Sequence, residues 1–130
     1  NIKQALSWAN GELKNSCYRD NSYSTASLLL ASILQMSKTR LLLVEDDLVS
    51  EINLKTYHSH IARATQDEPL EYITNTASFY SRDFFVNQHT LIPRPETEIL
   101  IDTIVQNIDK PTSKTTFCEI GTGTGIISIT

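Results

Sequence analysis

Apolar residues recur at spacings of three and four over the first seventy or so positions, then gather into short runs. Ile2, Ala5, Leu6, Ala9 and Leu13 share one helical face, and Gly11 weakens that helix slightly. Asn15 to Asn21 is polar and reads as a connection. Ser22 or Ser24 is expected to cap a second helix carrying Ala26, Leu28, Leu29, Leu30, Ile33 and Leu34. That helix is apolar over much of its surface, which places it centrally in a bundle. Thr39 to Val44 reads as a short helical turn and Glu45-Asp46-Asp47 as a solvated break. A further helix is expected to start near Ser50, to be lined by Ile52, Leu54, Tyr57, Ile61 and Ala64, and to end before Pro69. Residues 1–72 thus predict an all-α helical bundle.

The period changes after Tyr72. Phe79-Tyr80 and Phe84-Phe85-Val86 flank Ser81-Arg82-Asp83, the pattern of a β-hairpin with a short turn. Leu91-Ile92-Pro93-Arg94-Pro95 must be extended, because each proline turns its predecessor away from helix. Glu96 to Gln106 predicts a helix with Pro95 near its first turn, Glu96 and Glu98 at its positive end, and Ile99, Leu100, Thr103 and Ile104 on its inner face. Asp109 to Thr115 reads as a polar loop. Thr116 to Ile120 reads as a strand leading into Gly121-Thr122-Gly123-Thr124-Gly125 and a second apolar run. Residues 73–130 therefore predict a hairpin linker and the first elements of an α/β Rossmann-like domain. Such a domain needs several strand–helix units, so the chain is expected to be the front part of a longer protein.

Composition narrows the possibilities modestly. The 130 residues are 40 % apolar and 20 % charged, with a formal net charge of -4. That is an ordinary globular balance, and the acidic sign gives no electrostatic reason to expect direct nucleic-acid binding. There is no run long enough to span a bilayer and no basic-then-apolar leader pattern, so no membrane association is expected. Cys17 and Cys118 lack CxxC spacing and read as reduced core or strand cysteines, as in a cytoplasm. His58 and His60, two apart on a helix, point to different faces, and His89 is alone in a loop, so no metal is assigned. Trp8 and Tyr57 read as core.

The glycine loop carries chemistry. Glycines at 121, 123 and 125 let the backbone turn sharply and approach a ligand with no Cβ in the way. The spacing is G-x-G-x-G, not the G-x-G-x-x-G of dinucleotide folds, and there is no Gly-Lys-Ser/Thr of a phosphate-cradling loop. Glu119, two positions before the first glycine, would repel a phosphate and attract a cation. Together these features favour S-adenosylmethionine, which carries an ammonium and a sulfonium, with Glu119, Gly121, Thr122, Gly123, Thr124 and Gly125 as cofactor-binding residues. The plainer alternative is a tight turn with no ligand.

Leu91 to Glu98 reads L-I-P-R-P-E-T-E, with two prolines holding Arg94 in a stiff segment beside two carboxylates. Physics alone also allows a structural turn, with Arg94 paired to Glu96 or Glu98. This segment followed by E-I-G-T-G-T-G resembles the HemK/PrmC family, the glutamine methyltransferases of peptide-chain release factors. Glu68-Pro69 with Tyr72, and the F-Y-x-x-x-F-x-V pattern from Phe79 to Val86, add to the likeness. The second half of the chain carries most of it; the first half resembles the family only as a small helical bundle.

The resemblance implies S-adenosylmethionine-dependent methylation of the side-chain amide of the glutamine in a release factor's Gly-Gly-Gln tripeptide, in the cytoplasm, by a monomer. The helical half would be a recognition module, and Arg94, Pro95 and Glu96 part of the active-site wall. No catalytic residue is assigned here, because the family's N-P-P-Y tetrapeptide, which holds the substrate amide, is not in this sequence. The chain alone is accordingly expected to be inactive and to bind cofactor weakly. Asp67 and Asn75 stand where the family usually has Gly, and Ser24-Thr25-Ala26 where it has Arg-Asp-Ala. The rival readings are a ribosomal-protein glutamine methyltransferase, whose members tend to have Ser-Pro at Pro95-Glu96, a nucleic-acid adenine methyltransferase, and a non-catalytic helical module that docks a partner.

Overall fold

A computed structural model of the chain describes residues 1–107, 116 and 118–130. It divides into two compact units, Asn1–Thr74 and Asn75–Thr130.

The first unit is all helical: α1 (Ile2–Glu12), α2 (Ser22–Leu34), α3 (Lys38–Leu43), α4 (Glu51–Ala64) and α5 (Leu70–Thr74). The N-termini of α1, α3 and α4 find side-chain partners for free N–H groups. For α1, the Asn1 side chain accepts from Gln4, while the Ile2 and Lys3 amides donate to the carbonyls of Asp47 and Glu45. The acidic break expected at Glu45-Asp46-Asp47 therefore doubles as the cap of a distant helix. Ser37 and Ser50 cap α3 and α4, accepting from Arg40 and Asn53. The expected serine cap of α2 is corrected: Asn21 holds that position with no side-chain bond, and Ser22 lies inside the helix, where its hydroxyl donates to Asn10 Oδ1 at 2.6 Å.

The core of this unit joins Ile2, Leu6, Ala9 and Leu13 of the first segment to Ala26, Leu29 and Leu30 of α2 and Tyr57, Ile61 and Ala64 of α4. The helix α2 touches α1, α3, α4 and α5, the central place its sequence implied. Each fully buried leucine or isoleucine contributes roughly 1.5–3 kcal/mol. Tyr57 is fully buried and its hydroxyl donates to the Ala26 carbonyl at 3.0 Å, so its one polar atom is satisfied. Burial pushes its ionisation well above the ordinary tyrosine value. Trp8 is half-buried, edge-on to Tyr57 and stacked on His58 at a centroid distance of 4.0 Å. Ile52 does not line α4 as expected: at 3.6 residues per turn it lies about 180° around the helix from Ile61 and is exposed.

The second unit starts with an antiparallel hairpin, β1 (Thr76–Phe79) and β2 (Arg82–Phe85), in which Phe79 faces Arg82. The turn is the pair Tyr80-Ser81, shorter than the Ser81-Arg82-Asp83 expected; Arg82 and Asp83 belong to β2. Both turn residues have positive φ, 50° and 59°, the geometry that matches the twist of a two-residue hairpin loop and usually calls for Asn-Gly. Pro95–Thr97 forms a single tight turn that leads into α6 (Glu98–Asn107). The inner face of α6 is centred on buried Ile101 with Ile104 half-buried, while Ile99, Leu100 and Thr103, also expected inside, are exposed. Ile101 packs with Phe79 and with Ile126 of α7 (Ile126–Ile129). The expected loop Asp109 to Thr115 lies outside the described residues. The described residues of the expected strand Thr116 to Ile120 form no strand. A strand needs a hydrogen-bonded neighbour, and the described sheet holds β1 and β2 alone.

Candidate functional site

The loop from Gly121 to Gly125 has the backbone its glycines allow. Gly121, Gly123 and Gly125 take φ of 77°, 55° and 73°, a region that costs other residues about 1–2 kcal/mol each. A Cβ on Gly121 would meet nothing within 4 Å, so the backbone there is open to approach. A Cβ on Gly125 would come within 3.4 Å of Ile129 Cδ1, so that glycine also serves packing. The Gly125 amide donates to the Thr122 carbonyl at 2.7 Å, closing the turn before α7.

Glu119 is half-buried beside this loop. Its Oε2 accepts from the Ser128 amide at 3.2 Å and from the Ser128 hydroxyl. Sequence reasoning missed Ser128, since a serine nine positions on carries no motif signal. It also missed Arg82, which donates to the Ile129 carbonyl at 2.9 Å and ties α7 to the hairpin.

Arg94, Pro95 and Glu96 are all exposed. Arg94 is extended, as its flanking prolines require, and among the described residues it makes no ion pair. Glu98 turns instead to the hairpin, accepting from the Tyr80 amide at 2.7 Å, while the Tyr80 hydroxyl donates to Asp102 at 2.7 Å. Among the described residues no hydrogen bond or ion pair joins the Arg94–Glu96 segment to the glycine loop. The two cysteines are free, but both are exposed, not in the core. The described residues hold no group of three or more metal-ligating side chains, and no described helix is long and apolar enough to cross a membrane.

In the first unit, Glu68 of the Glu68-Pro69 motif forms a two-pronged pair with Arg63, at 2.7 Å to Nε and 2.6 Å to Nη2. Arg63 Nη2 also donates to the Tyr72 carbonyl at 3.1 Å. The motif therefore shapes the elbow between α4 and α5. Asp67 and Asn75, where the resemblance led Gly to be expected, both have left-handed backbone, at φ 61° and φ 55°. Asp and Asn are among the few non-glycine residues that tolerate it. Asp67 gains a bond by being there: its Oδ1 accepts from the Cys17 amide at 2.7 Å, which holds its carboxyl below the ordinary range.

Comparison with known proteins covers both units. Residues 4–74 match the PrmC N-terminal domain family. A release factor glutamine methyltransferase of Bacillus cereus is 34% identical over 131 residues, 99% of this chain and 45% of the relative. One from Nitratidesulfovibrio vulgaris is 37% identical over 106 residues, 82% of this chain and 35% of the relative. A bifunctional methyltransferase of Rickettsia conorii is 37% identical over 105 residues, 81% of this chain and 20% of the relative. The chain thus spans less than half the length of these curated relatives. With the helical unit matched over 4–74, and the Bacillus likeness running on through the proline-arginine segment and the glycine loop, the chain belongs to the HemK/PrmC family, residues 4–74 matching its N-terminal domain.

Proposed function

We propose that the protein to which this chain belongs methylates the side-chain amide of the glutamine in the Gly-Gly-Gln tripeptide of a peptide-chain release factor, in the cytoplasm and as a monomer. The observation that supports this reading is the 34% identity over 99% of the chain to a relative named release factor glutamine methyltransferase. The three left-handed glycines support the cofactor part, because an exposed backbone without Cβ atoms fits close approach by a ligand. S-adenosylmethionine, when bound, supplies a methyl group on a cationic sulfur.

On this reading Gly121, Thr122, Gly123, Thr124 and Gly125 form the floor under the cofactor's methionine part. Glu119 favours its cationic end, with Ser128 restricting the carboxylate's rotamer. Arg94, Pro95 and Glu96 wall the site, their backbone stiffened by the two prolines. An amide nitrogen is a poor nucleophile, since its lone pair is delocalised, so catalysis rests on positioning more than on a strong base. On this reading the 130 residues alone, which lack an N-P-P-Y tetrapeptide, turn nothing over and bind cofactor weakly.

The test uses the full-length protein, a purified release factor and S-adenosylmethionine, with mass spectrometry of the peptide carrying Gly-Gly-Gln. One added methyl on that glutamine is expected. A methyl found instead on a ribosomal protein or on adenine overturns the substrate assignment. Calorimetry giving low-micromolar cofactor binding to these 130 residues alone overturns the last claim.

A further inference from the structure

The two parts of the candidate site, residues 94–96 and 121–125, share no direct bond among the described residues, yet each runs straight into a helix. The turn Pro95–Thr97 leads into α6, and Gly125 opens α7. Both helices are held by the same stretch of the hairpin, Phe79, Tyr80 and Arg82. Fully buried Phe79 packs with Ile101 of α6 and Ile126 of α7. Tyr80 grips the first two turns of α6 at two points. Its amide donates to Glu98 Oε1 and its hydroxyl to Asp102 Oδ1, both at 2.7 Å. The two acceptors are four positions apart and so share one helical face. Arg82 Nη1 donates to the Ile129 carbonyl of α7 at 2.9 Å.

Main-chain bonds carry the hold from each helix to its segment. The Thr97 amide donates to the Arg94 carbonyl at 3.0 Å, so the start of α6 and residues 94–96 are one piece. The Ile129 amide donates to the Gly125 carbonyl at 3.0 Å, and the Gly125 amide to the Thr122 carbonyl at 2.7 Å, which links Arg82 to the glycine loop in three steps.

The tip has a form that a plain connection would not need. Tyr80 and Ser81 both take left-handed backbone, at φ 50° and 59°, where Asn-Gly closes the same kind of loop without strain. Strain of this kind persists where the surroundings over-determine the backbone, and it gathers at functional sites. Here the strained tyrosine is the residue that holds α6.

We propose that the hairpin tip is a positioning frame for the site: Tyr80 sets residues 94–96 through α6, and Arg82 sets residues 121–125 through α7. The frame rests on these contacts; its consequence for methyl transfer rests on the proposed function. A poor nucleophile reacts only when well placed, so a small shift of the wall against the cofactor loop costs rate.

The test uses the full-length protein. Hydrogen exchange of the Thr97 and Gly125 amides reports the two segments, and kcat and KM are measured with an intact release factor and S-adenosylmethionine. Glu98→Ala removes the acceptor of the Tyr80 amide. It is expected to speed exchange at Thr97 about fivefold and leave Gly125 unchanged, and to lower kcat about tenfold while the KM for S-adenosylmethionine stays within about twofold. Glu98→Gln keeps a carbonyl acceptor and is expected to recover most of both losses. Arg82→Ala is expected to do the converse, speeding exchange at Gly125 alone and raising the KM for S-adenosylmethionine about fivefold. Melting temperatures check folding. Tyr80→Phe, which removes only the bond to Asp102, replaces Glu98→Ala if that variant does not fold, with a smaller change in the same direction. Variants that speed both amides together, or that leave kcat and KM at wild-type values, overturn the proposal, because a brace serving stability alone behaves that way. A Glu98→Gln protein as slow as Glu98→Ala also overturns it, since the loss then belongs to the charge at the start of α6. If the wild-type protein leaves the release factor unmodified, the proposed function falls, and exchange at Thr97 and Gly125 decides for or against the frame.

Discussion

In Asn1–Thr74, thirteen residues from Ile2 to Ile73 close into one buried cluster, whereas among the described residues of Asn75–Thr130 the corresponding cluster is Phe79, Ile101 and Ile126. Both stretches carry many aliphatic residues. The difference lies in how each kind of unit hides them. Helices joined by short connections can fold their stripes onto one another within seventy residues. An α/β layer needs several strands before its helices have a sheet to cover. Ile99, Leu100, Val105, Ile120 and Ile129 accordingly stay outward, in a chain that spans less than half the length of its curated relatives.

The sharpest way to break this contrast is to cut one leucine from each unit. Leu30→Ala empties a fully buried site and is expected to cost about 3 kcal/mol. Leu100→Ala, at a half-exposed site, is expected to cost under about 1 kcal/mol in the same chain. Urea unfolding followed by the fluorescence of Trp8, the chain's single tryptophan, reports the first unit, and hydrogen exchange reports both. Equal losses would mean that the second unit has a closed core after all.

A smaller effect belongs to the elbow of the first unit. Arg63→Ala leaves Glu68 without its two-pronged partner and removes the donor to the Tyr72 carbonyl. Both side chains keep some solvent contact, so the expected cost is about 1–2 kcal/mol, less than for a buried pair. Arg63→Lys is expected to recover only part of it, because an ammonium cannot reproduce the fork. A Lys variant as stable as wild type would show that the charge alone matters.

In the second unit the sign is expected to reverse. Tyr80 and Ser81 sit at positive φ without a glycine. Tyr80 is anchored through Glu98 and Asp102, but Ser81 has no such anchor among the hydrogen bonds described. Ser81→Gly should therefore stabilise the hairpin by about 0.5–1 kcal/mol, seen as slower exchange of its paired amides. Faster exchange would mean that glycine's added freedom in the unfolded chain outweighs the relieved strain.

The sequence showed its long periods and hid its local exceptions. The faces of α1 and α2, the Ser50 start of α4 and the inward Tyr57, Ile61 and Ala64 were legible because burial repeats every three or four residues. Ile52 was misplaced because it was grouped with Tyr57 and Ile61 by its apolar character, although helical spacing puts it on the opposite face from Ile61. The hairpin turn was placed one residue late and made one residue too long, because Tyr80-Ser81 lacks the Asn-Gly signal that marks such loops. The inner face of α6 failed for a different reason. Ile99, Leu100, Ile101, Ile104 and Val105 are apolar almost all round, so which of them faces inward depends on the neighbours, not on the pattern. In the candidate site the turn at Gly121, Gly123 and Gly125 could be read from their alternate spacing after an apolar run. The partners of Glu119 and Glu98 could not, because Ser128 and Tyr80 are brought to them by folding.

The smallest expected effect concerns Asp67, a non-glycine residue with left-handed backbone. Two influences oppose each other there. The backbone at φ 61° is one that glycine adopts without strain, while the carboxylate accepts the Cys17 amide and ties the α1–α2 connection to the end of α4. Asp67→Gly relieves the first and loses the second, so its melting temperature should stay close to wild type. Asp67→Ala keeps the strain and loses the bond, so its melting temperature should fall. Acid separates the two contributions. The Cys17 amide holds the folded carboxyl below its ordinary 3.8, so the bond's contribution is present above that value and lost as pH falls through the depressed one. Asp67→Asn keeps an acceptor that does not titrate. Its melting temperature should therefore fall less steeply than wild type on acidification from about pH 5 to pH 2. Identical acid limbs in the two proteins would mean that the carboxylate adds nothing there, and that the residue is simply a tolerated stand-in for glycine.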